Sequence, residues 1–442
     1  MTPEITAVVT RFAPSPTGRL HIGNLRAALQ NYLWARRHGG RFLLRIDDTD
    51  AERSTEAFVN AIRTDLDWLG LARDGEVRQS ERTALYDARF ATLRDAGRVY
   101  ACYETPEELD LRRKVLLGRG LPPIYERPAA DSAPRPGRTP HWRFRLDHDA
   151  MIEWDDRVRG PQQFDPAKLS DPVIRRGDGS WLYLLPSVID DIDMGVTTVV
   201  RGEDHVSNSA VQLQMFAALG AAAPCFAHEA LLVAAEGKLS KRLGAVGVPA
   251  MIEAGLEPMA LISLLARLGT SQPVEPVADL APLTASFDFA HFGRAPAHFD
   301  LGEVELLNAR LLHGLEYAAV ADRLPGWVDG PRWEALRSAL QRLADIDDWQ
   351  AVVSGDLAVP DIAAEDRPLL TAAAALIPTI DWSADPWHAL TGALKADTGR
   401  KGKALFLPLR LALTGRPSGP EMAALLPLIG PERARSRLQA SG

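Results

Sequence analysis

The stretch Arg11-Phe12-Ala13-Pro14-Ser15-Pro16-Thr17-Gly18-Arg19-Leu20-His21-Ile22-Gly23-Asn24 decides the fold. A short apolar run, Ile5–Val9, precedes it and reads as a strand; Leu25–His38 follows it and reads as a helix. Strand, polar turn rich in Pro and Gly, then helix is where an α/β fold holds a nucleotide, because the helix N-terminus offers unpaired N–H groups to phosphate. The turn adds His21, Arg11 and Arg19, all suited to a polyphosphate. An ordinary βα loop is the alternative reading of this stretch taken alone.

Gly39-Gly40 closes the helix, and Phe42–Ile46 reads as a second strand. This βαβ opening implies a parallel sheet with a right-handed crossover. Asp47-Asp48-Thr49-Asp50 falls at the carboxyl end of that strand, where open α/β sheets bind ligands. Thr55–Leu69 has helical amphipathicity with Ser54 or Thr55 as cap, and Ser80–Ala96 is a further helix closed by Gly97. From Val99 the character changes. A helix over Thr105–Leu117 gives way to a chain broken by Pro122, Pro123, Pro128, Pro134, Pro136 and Pro140, with strands over His141–Leu146, Met151–Trp154 and Gln162–Phe164. This is an α/β insertion between two halves of a nucleotide fold. The half-sheet is expected to resume with Trp181–Ile189, followed by a strand over Thr197–Arg201 and a helix over Ser207–Leu219. Beyond Gly247 the pattern is helical, over Met251–Ala254, Pro258–Leu268, Val304–His313, Leu336–Leu343, Arg367–Ile377, Trp387–Ala396, Leu405–Leu413 and Pro420–Leu428.

The chain has 442 residues, 46% hydrophobic and 24% charged, which fits a soluble globular protein of two to four domains. No apolar run is long enough to span a bilayer, and Met1-Thr2-Pro3-Glu4 lacks the pattern of a signal peptide. Two cysteines, Cys102 and Cys225, exclude a disulfide framework and a Cys-rich zinc site, and suit a reducing cytoplasm. The net charge of −8 argues weakly against nucleic acid. The tail does not: from Arg400 onward there are 8 basic residues (Arg400, Lys401, Lys403, Arg410, Arg416, Arg433, Arg435, Arg437) against Glu421 and Glu432. Such a tail is either a solvated face or a phosphate-binding one.

A second charged cluster, Lys238-Leu239-Ser240-Lys241-Arg242, lies between Gly237 and Gly244. Three cations and a hydroxyl beside flexible glycines can close over phosphates and neutralise charge in a transition state. Taken alone it also reads as an exposed basic turn. The two motifs together frame one split α/β fold, and this pairing resembles the class I aminoacyl-tRNA synthetases, whose two signature motifs bracket ATP. Within that class the chain resembles the glutamyl-tRNA synthetase family, through Arg11–Gly23, Arg45-Ile46-Asp47-Asp48-Thr49-Asp50, Gln79-Ser80-Glu81-Arg82, Asp190-Asp191, Val200-Arg201-Gly202-Glu203-Asp204-His205, Ser207-Asn208, Phe226-Ala227-His228, Phe299-Asp300, Leu307-Asn308 and Leu409-Arg410-Leu411-Ala412-Leu413-Thr414-Gly415.

The resemblance implies formation of glutamyl-adenylate from ATP, with Mg²⁺, and L-glutamate, then transfer to the terminal adenosine of tRNA(Glu), with tRNA(Gln) open as a second acceptor. It implies a Rossmann-type catalytic domain in two halves, 1–98 and 181–245, around an acceptor-binding module, 99–180. A helical stem-contact region, 246–302, and an all-α anticodon-binding domain, 303–442, follow. His21, Lys238 and Lys241 stand at catalytic positions. Arg11, Ala13, Ser15, Asp47, Tyr183 and Arg201 stand at glutamate-binding ones, the two arginines suiting a dicarboxylic amino acid through bidentate contacts. Asp47 would hold the substrate ammonium at a position usually occupied by Glu. Pro14, Thr17, Gly18, His21, Gly23, Asn24, Glu203, Asp204, His205, Leu239, Ser240, Lys241 and Arg242 would contact ATP. Asn24 replaces the second His of the motif and cannot carry its charge. Some family members bind zinc in the module through Cys-x-Cys; here Cys102-Tyr103-Glu104 keeps one thiol, so no zinc is expected. The family expectation is a cytoplasmic monomer. Rival readings are a glutaminyl enzyme with a β-barrel anticodon region, a shortened paralogue lacking that region, a non-catalytic RNA-binding paralogue, and a plain nucleotidyltransferase.

Overall fold

The structure is a computed structural model and describes residues 7–128, 134–234 and 247–442. The chain divides into two compact units. One runs to Met251 and includes Ile262–Asp300; the other comprises Ile252–Leu261 and Leu301–Gly442.

In the first unit, β1 (Val9–Phe12), β2 (Arg41–Ile46) and β3 (Gly75–Arg78) form a parallel sheet in that order. α1 (Ile22–Arg37) provides the first crossover, and Gly39 turns the chain back at φ +60°. α2 (Glu56–Trp68) starts at Thr55, whose side chain accepts from Phe58 N–H at 3.3 Å. A 3₁₀ turn, Gln79–Arg82, precedes α3 (Thr83–Asp95), so the helix expected over Ser80–Ala96 begins three residues late. The first strand also starts later than its apolar run: residues 1–6 lie outside the described residues, and β1 extends into the motif itself. All four residues of β1 are buried. Thr10 and Arg11 tolerate that because each hydrogen-bonds internally, to Asn31 O at 2.8 Å and Asp191 Oδ1 at 3.0 Å.

The insertion contains β4 (Val99–Cys102), α4 (Pro106–Gly118), β5 (His141–Phe144), β6 (Ile152–Asp156), β7 (Gly160–Phe164) and β8 (Val173–Arg175). β4, β5 and β8 form an antiparallel sheet. The β6–β7 hairpin does something the sequence pattern did not suggest. It joins the second catalytic sheet with β9 (Thr198–Gly202) and β10 (Cys225–Glu229), in the order β7-β6-β10-β9, with β6 parallel to β10 and β10 parallel to β9. The two catalytic sheets meet where Thr197 N–H donates to Val9 O at 2.9 Å and Val9 N–H to Thr197 Oγ1 at 2.9 Å.

Trp181–Ile189 corrects the sequence reading. Apart from an isolated bridge at Trp181, the segment is not a strand; α5 (Leu184–Asp193) occupies it. Leu185, Val188 and Ile189 are buried at helical spacing, and Pro186 sits in the first turn where its missing N–H costs nothing. A short apolar run does not distinguish helix from strand by periodicity. α6 (Val206–Ala218) follows β9, and β11 (Leu232–Ala234) pairs with β12 (Ala297–Phe299) in a two-stranded parallel sheet.

The second unit is helical among its described residues. Trp333, Leu336, Leu369, Leu370, Leu390, Leu409, Leu425 and Leu438 share one core. The helix expected over Leu336–Leu343 lies instead over Gly330–Leu336, capped by Asp329, and a final helix, Pro431–Ser441, was not anticipated. The basic tail is largely used inside the protein. Arg437 donates to Val352 O and Leu413 O at 2.8 and 2.7 Å, Arg433 to Ile429 O at 2.8 Å, Arg416 to Asp348 O at 2.9 Å and Arg410 to Pro420 O at 2.7 Å; Arg400 pairs with Asp366. Orphan carbonyls at helix ends account for several of these partners.

Trp333 is fully buried and its indole N–H donates to Leu315 O at 2.8 Å. Trp333→Ala is expected to destabilise this unit by about 3–5 kcal/mol, read as a lower urea midpoint for its transition.

Candidate active site

The motif turn is clipped at both ends. Pro14 O accepts from Asp47 N–H at 3.0 Å, at the end of β2, and Pro16 O accepts from Thr55 N–H at 3.3 Å, at the start of α2. His21 is the N-cap of α1. Its Nδ1 accepts from Gly23 N–H at 3.1 Å, and its own N–H donates to Asn24 Oδ1 at 3.2 Å. An accepting Nδ1 assigns the imidazole proton to Nε2. A Cβ on Gly23 would stand 3.0 Å from His21 Cε1, so glycine leaves room for the ring. Partial desolvation of the ring lowers the His21 pKa. The motif therefore supplies a fixed N–H donor rather than a charge, and Asn24 serves first as a helix cap.

Ten of the sequence-designated residues converge on one cavity of about 300 Å³: Arg11, Ala13, Pro14, His21, Gly23, Asn24, Tyr183, Arg201, Asp204 and His205. Ser15, Thr17, Gly18, Asp47 and Glu203 are not on its wall. Ser15 and Thr17 face solvent. Glu203 is engaged by Arg159 and by Leu231 N–H. Asp47 is buried, and its two oxygens accept from Arg45 at 2.7 and 3.1 Å, which pairs the carboxylate. Lys238, Leu239, Ser240, Lys241 and Arg242 lie outside the described residues. Sequence reading missed Arg26, Arg45 and Glu229 on the wall, although an Arg inside an apolar strand is itself a sign of a buried ion pair.

Beneath the cavity lies an ionic cluster. Asp191 Oδ1 accepts from Arg11 Nε at 3.0 Å and from Arg45 Nη1 at 2.8 Å. Asp190 accepts from Gln79, Arg82 and Tyr86 at 2.8, 2.7 and 2.9 Å. Burial opposes the charge on Arg45, but Asp47 and Asp191 outweigh it and raise its pKa. Arg201 differs. It too is buried, yet its partners are neutral: Tyr183 OH at 2.7 Å, Gln212 Oε1 at 2.6 Å, Ser209 Oγ, and His228 Nε2 at 3.5 Å. No carboxylate pairs with it among the described residues, and burial lowers its pKa. A buried guanidinium on a cavity wall without a counter-ion is a receptor for an anion.

In the insertion, Cys102, Glu104 and His141 place one donor atom each within 4.8 Å of one another, a juxtaposition the thiol count did not foresee. Glu104 Oε2 and His141 Nε2 are buried without partners, which favours an ion. Two features oppose one. Only one of the three donors is a thiol, unlike the Cys-rich donor sets of structural zinc sites. The Arg143 guanidinium lies 3.7 Å over the Tyr125 ring and electrostatically disfavours a proton on His141, so a cation there would meet a fixed positive charge. Tyr125 OH bridges Cys102 at 3.4 Å and Glu104 at 3.0 Å. The set does not fit zinc.

The family described as tRNA synthetases class I (E and Q), catalytic domain, matches residues 7–304, and an anticodon binding domain matches 358–441. The chain is 66% identical to glutamate–tRNA ligase 2 of Sphingopyxis alaskensis, over 98% of this chain and 99% of that one, and 64% identical to glutamate–tRNA ligase 1 of Rhizorhabdus wittichii, over 98% and 99%. The crystal structure of a glutamate tRNA ligase from Elizabethkingia meningosepticum in complex with its amino acid aligns with a TM-score of 0.82 at 27% identity, covering 99% of each chain.

Glu229 supplies a pH test of the cavity floor. Burial pushes its carboxyl up to about 7 against the pull of Arg26, whose Nε is 3.6 Å away. The folded form then holds a proton between pH 4.5 and 7 that the unfolded chain releases, so stability falls as pH rises through this window and levels above it. Glu229→Gln is expected to flatten that slope, measured as urea midpoints from pH 5 to 8.

Proposed function

The chain belongs to the class I tRNA synthetases of the glutamate and glutamine (E and Q) family, and on that premise we propose that it activates L-glutamate with ATP and transfers it to tRNA(Glu). The observation that carries glutamate is Arg201, a buried cation on the cavity wall whose protein partners are all neutral. The substrate's side-chain carboxylate supplies the missing charge; a carboxamide would not.

The two substrates share the cavity. Among the described residues Arg11 is held through Nε, by Asp191, which leaves its terminal nitrogens for a carboxylate of glutamate. Tyr183, held by Arg201, lines the same end. ATP lies against the N-terminus of α1, with Asp204 and His205 toward the adenosine. An α-carboxylate oxygen attacks the α-phosphorus and pyrophosphate leaves. His21 Nε2–H donates to the phosphates, and Lys238 and Lys241 neutralise the charge that develops there. ATP enters with Mg²⁺. The terminal ribose hydroxyl of the tRNA then attacks the acyl carbon, and AMP departs. Asp47 keeps Arg45 charged and in place and has no contact with the ammonium.

Residues 1–98 and 181–245 serve as the catalytic halves, 99–180 as the acceptor-binding module, 246–302 as the stem contact and 303–442 as the anticodon reader. Lys401, Lys403 and Arg435, which are exposed, are better placed for tRNA phosphates than the arginines engaged with protein carbonyls. The enzyme acts as a monomer in the cytoplasm; among the described residues no helix is long and apolar enough to cross a membrane. It uses no zinc.

ATP–pyrophosphate exchange should proceed with glutamate and not with glutamine or aspartate, and should depend on tRNA; exchange with glutamine instead, or none, would refute the assignment. Lys241→Ala should slow activation by about two orders of magnitude. Charging of tRNA(Glu) and tRNA(Gln) transcripts reads out whether the second is a substrate. Elemental analysis should find zinc at well under one equivalent per chain.

A further inference from the structure

The alignment of β9 with β10 sets His228 beside Arg201, and β6, from the insertion, brings Asp156 to the other side of the same imidazole. His228 Nδ1 lies 2.5 Å from Asp156 Oδ2, and His228 Nε2 lies 2.8 Å from Ser209 Oγ. Ser209 Oγ in turn is bonded by Arg201 Nη2. Ser209 and His228 are fully buried and Asp156 nearly so. None of the three lines the cavity. The arrangement has the atoms of a hydrolytic triad, but its serine is sealed away from substrate and already accepts from a guanidinium, so it is not a nucleophile.

We propose that Asp156, His228 and Ser209 form a positioning relay that holds Arg201 in the orientation required to select a carboxylate. This rests on the reading of Arg201 as the glutamate side-chain receptor. The guanidinium can only donate, which sets the direction of the chain, and His228 Nε2 at 2.8 Å is a closer acceptor for the Ser209 hydroxyl than His205 O at 3.4 Å. Arg201 Nη2–H donates to Ser209 Oγ, Ser209 O–H donates to His228 Nε2, and His228 Nδ1–H donates to Asp156. Asp156 is fixed as the terminal acceptor, because its other oxygen accepts from Val158, Arg159 and His228 N–H at 3.0, 2.9 and 3.1 Å. These bonds outweigh burial and draw its pKa down to about 2, while burial lowers that of His228. The consequence is a tautomer in which Nε2 carries a lone pair. That lone pair also faces Arg201 Nε, 3.5 Å away. Gln212 holds the same Nη2, and is itself anchored through Ser187 at 2.6 Å. With Nη2 and Nε committed to the relay and one Nη1 hydrogen to Tyr183, the remaining Nη1 hydrogen is left for a ligand. Reversing the tautomer would set His228 Nε2–H against Arg201 Nε–H and turn the guanidinium.

Asp156→Asn makes that reversal. An amide can keep the three backbone contacts through its oxygen while its NH₂ donates to His228 Nδ1. Ser209→Ala breaks the same chain by removing one hydroxyl, and serves if the Asn variant does not fold. Each should raise KM for glutamate at least tenfold in tRNA-supported pyrophosphate exchange. Each should leave KM for ATP and the maximal rate within about twofold, and lower the glutamate-to-glutamine preference. The double variant should be no worse than the poorer single one, because one relay cannot be broken twice. Changes within twofold in both single variants, equal losses toward ATP and glutamate, or additive losses in the double variant would overturn the relay. Arg201→Gln separates the premise: if it leaves KM for glutamate unchanged, the receptor assignment fails. If it raises KM while Asp156→Asn and Ser209→Ala do not, only the relay fails.

Discussion

Asp191 Oδ1 accepts from Arg11 and Arg45 at once, and the geometry of the cavity depends on that shared oxygen. Arg11 comes from β1, Arg45 from β2, and Asp191 from α5, more than 130 residues further along the chain. The insertion separates them in sequence, so the bond cannot form until both halves of the fold have come together. Around it, three cations (Arg11, Arg45, Arg82) face three anions (Asp47, Asp190, Asp191) in a nearly dry interior. Charge balance of this kind gives little net stability relative to an apolar core, but removing one partner leaves an uncompensated buried ion. The cluster thus acts mainly as a registration device, fixing Arg11 and Arg45 at the cavity wall. Arg201 stands just outside the balanced set, with neutral partners among the described residues.

The same logic separates what the sequence disclosed from what it did not. The βαβ opening and the cap of α2, placed at Ser54 or Thr55, were legible because they are local: each depends on residues within one turn or one alternation. His21 and Arg201 were legible through the motifs around them. Trp181–Ile189 was misread because a short apolar run carries no period of its own. The role of Asp47 was implied by the family resemblance, and its pairing with Arg45, two residues back, was not foreseen. The tail arginines looked available for phosphate, whereas Arg433 and Arg437 close helix ends whose existence depended on a final helix that the pattern did not announce. Asp156, Ser209 and His228 were beyond reach for a stronger reason. Their proximity requires the parallel pairing of β6 with β10, and nothing local in the insertion specifies that its hairpin completes another sheet.

The departure of Asn24 from the motif's second His acquires a physical account in the cap of α1. An N-terminal helical turn has donors to satisfy and places a fractional positive charge at its end. Here His21 Nδ1 takes Gly23 N–H, and Asn24 Oδ1 takes the N–H of His21 itself. Both side chains therefore complete the helix end before any ligand arrives, and the imidazole is held with Nε2–H outward. The cost is that neither residue brings a full charge, since desolvation lowers the His21 pKa. Developing negative charge on a leaving pyrophosphate must then be met from another part of the chain. The helix dipole and a single N–H donor at this end are suited to hold a phosphate. Arg11 is committed to Asp191 at one edge, and Arg26 to Ala230 O and Leu268 O at 2.9 and 3.1 Å, so neither is free to swing toward phosphate. The motif thus fixes position at this end of the cavity and brings little charge of its own.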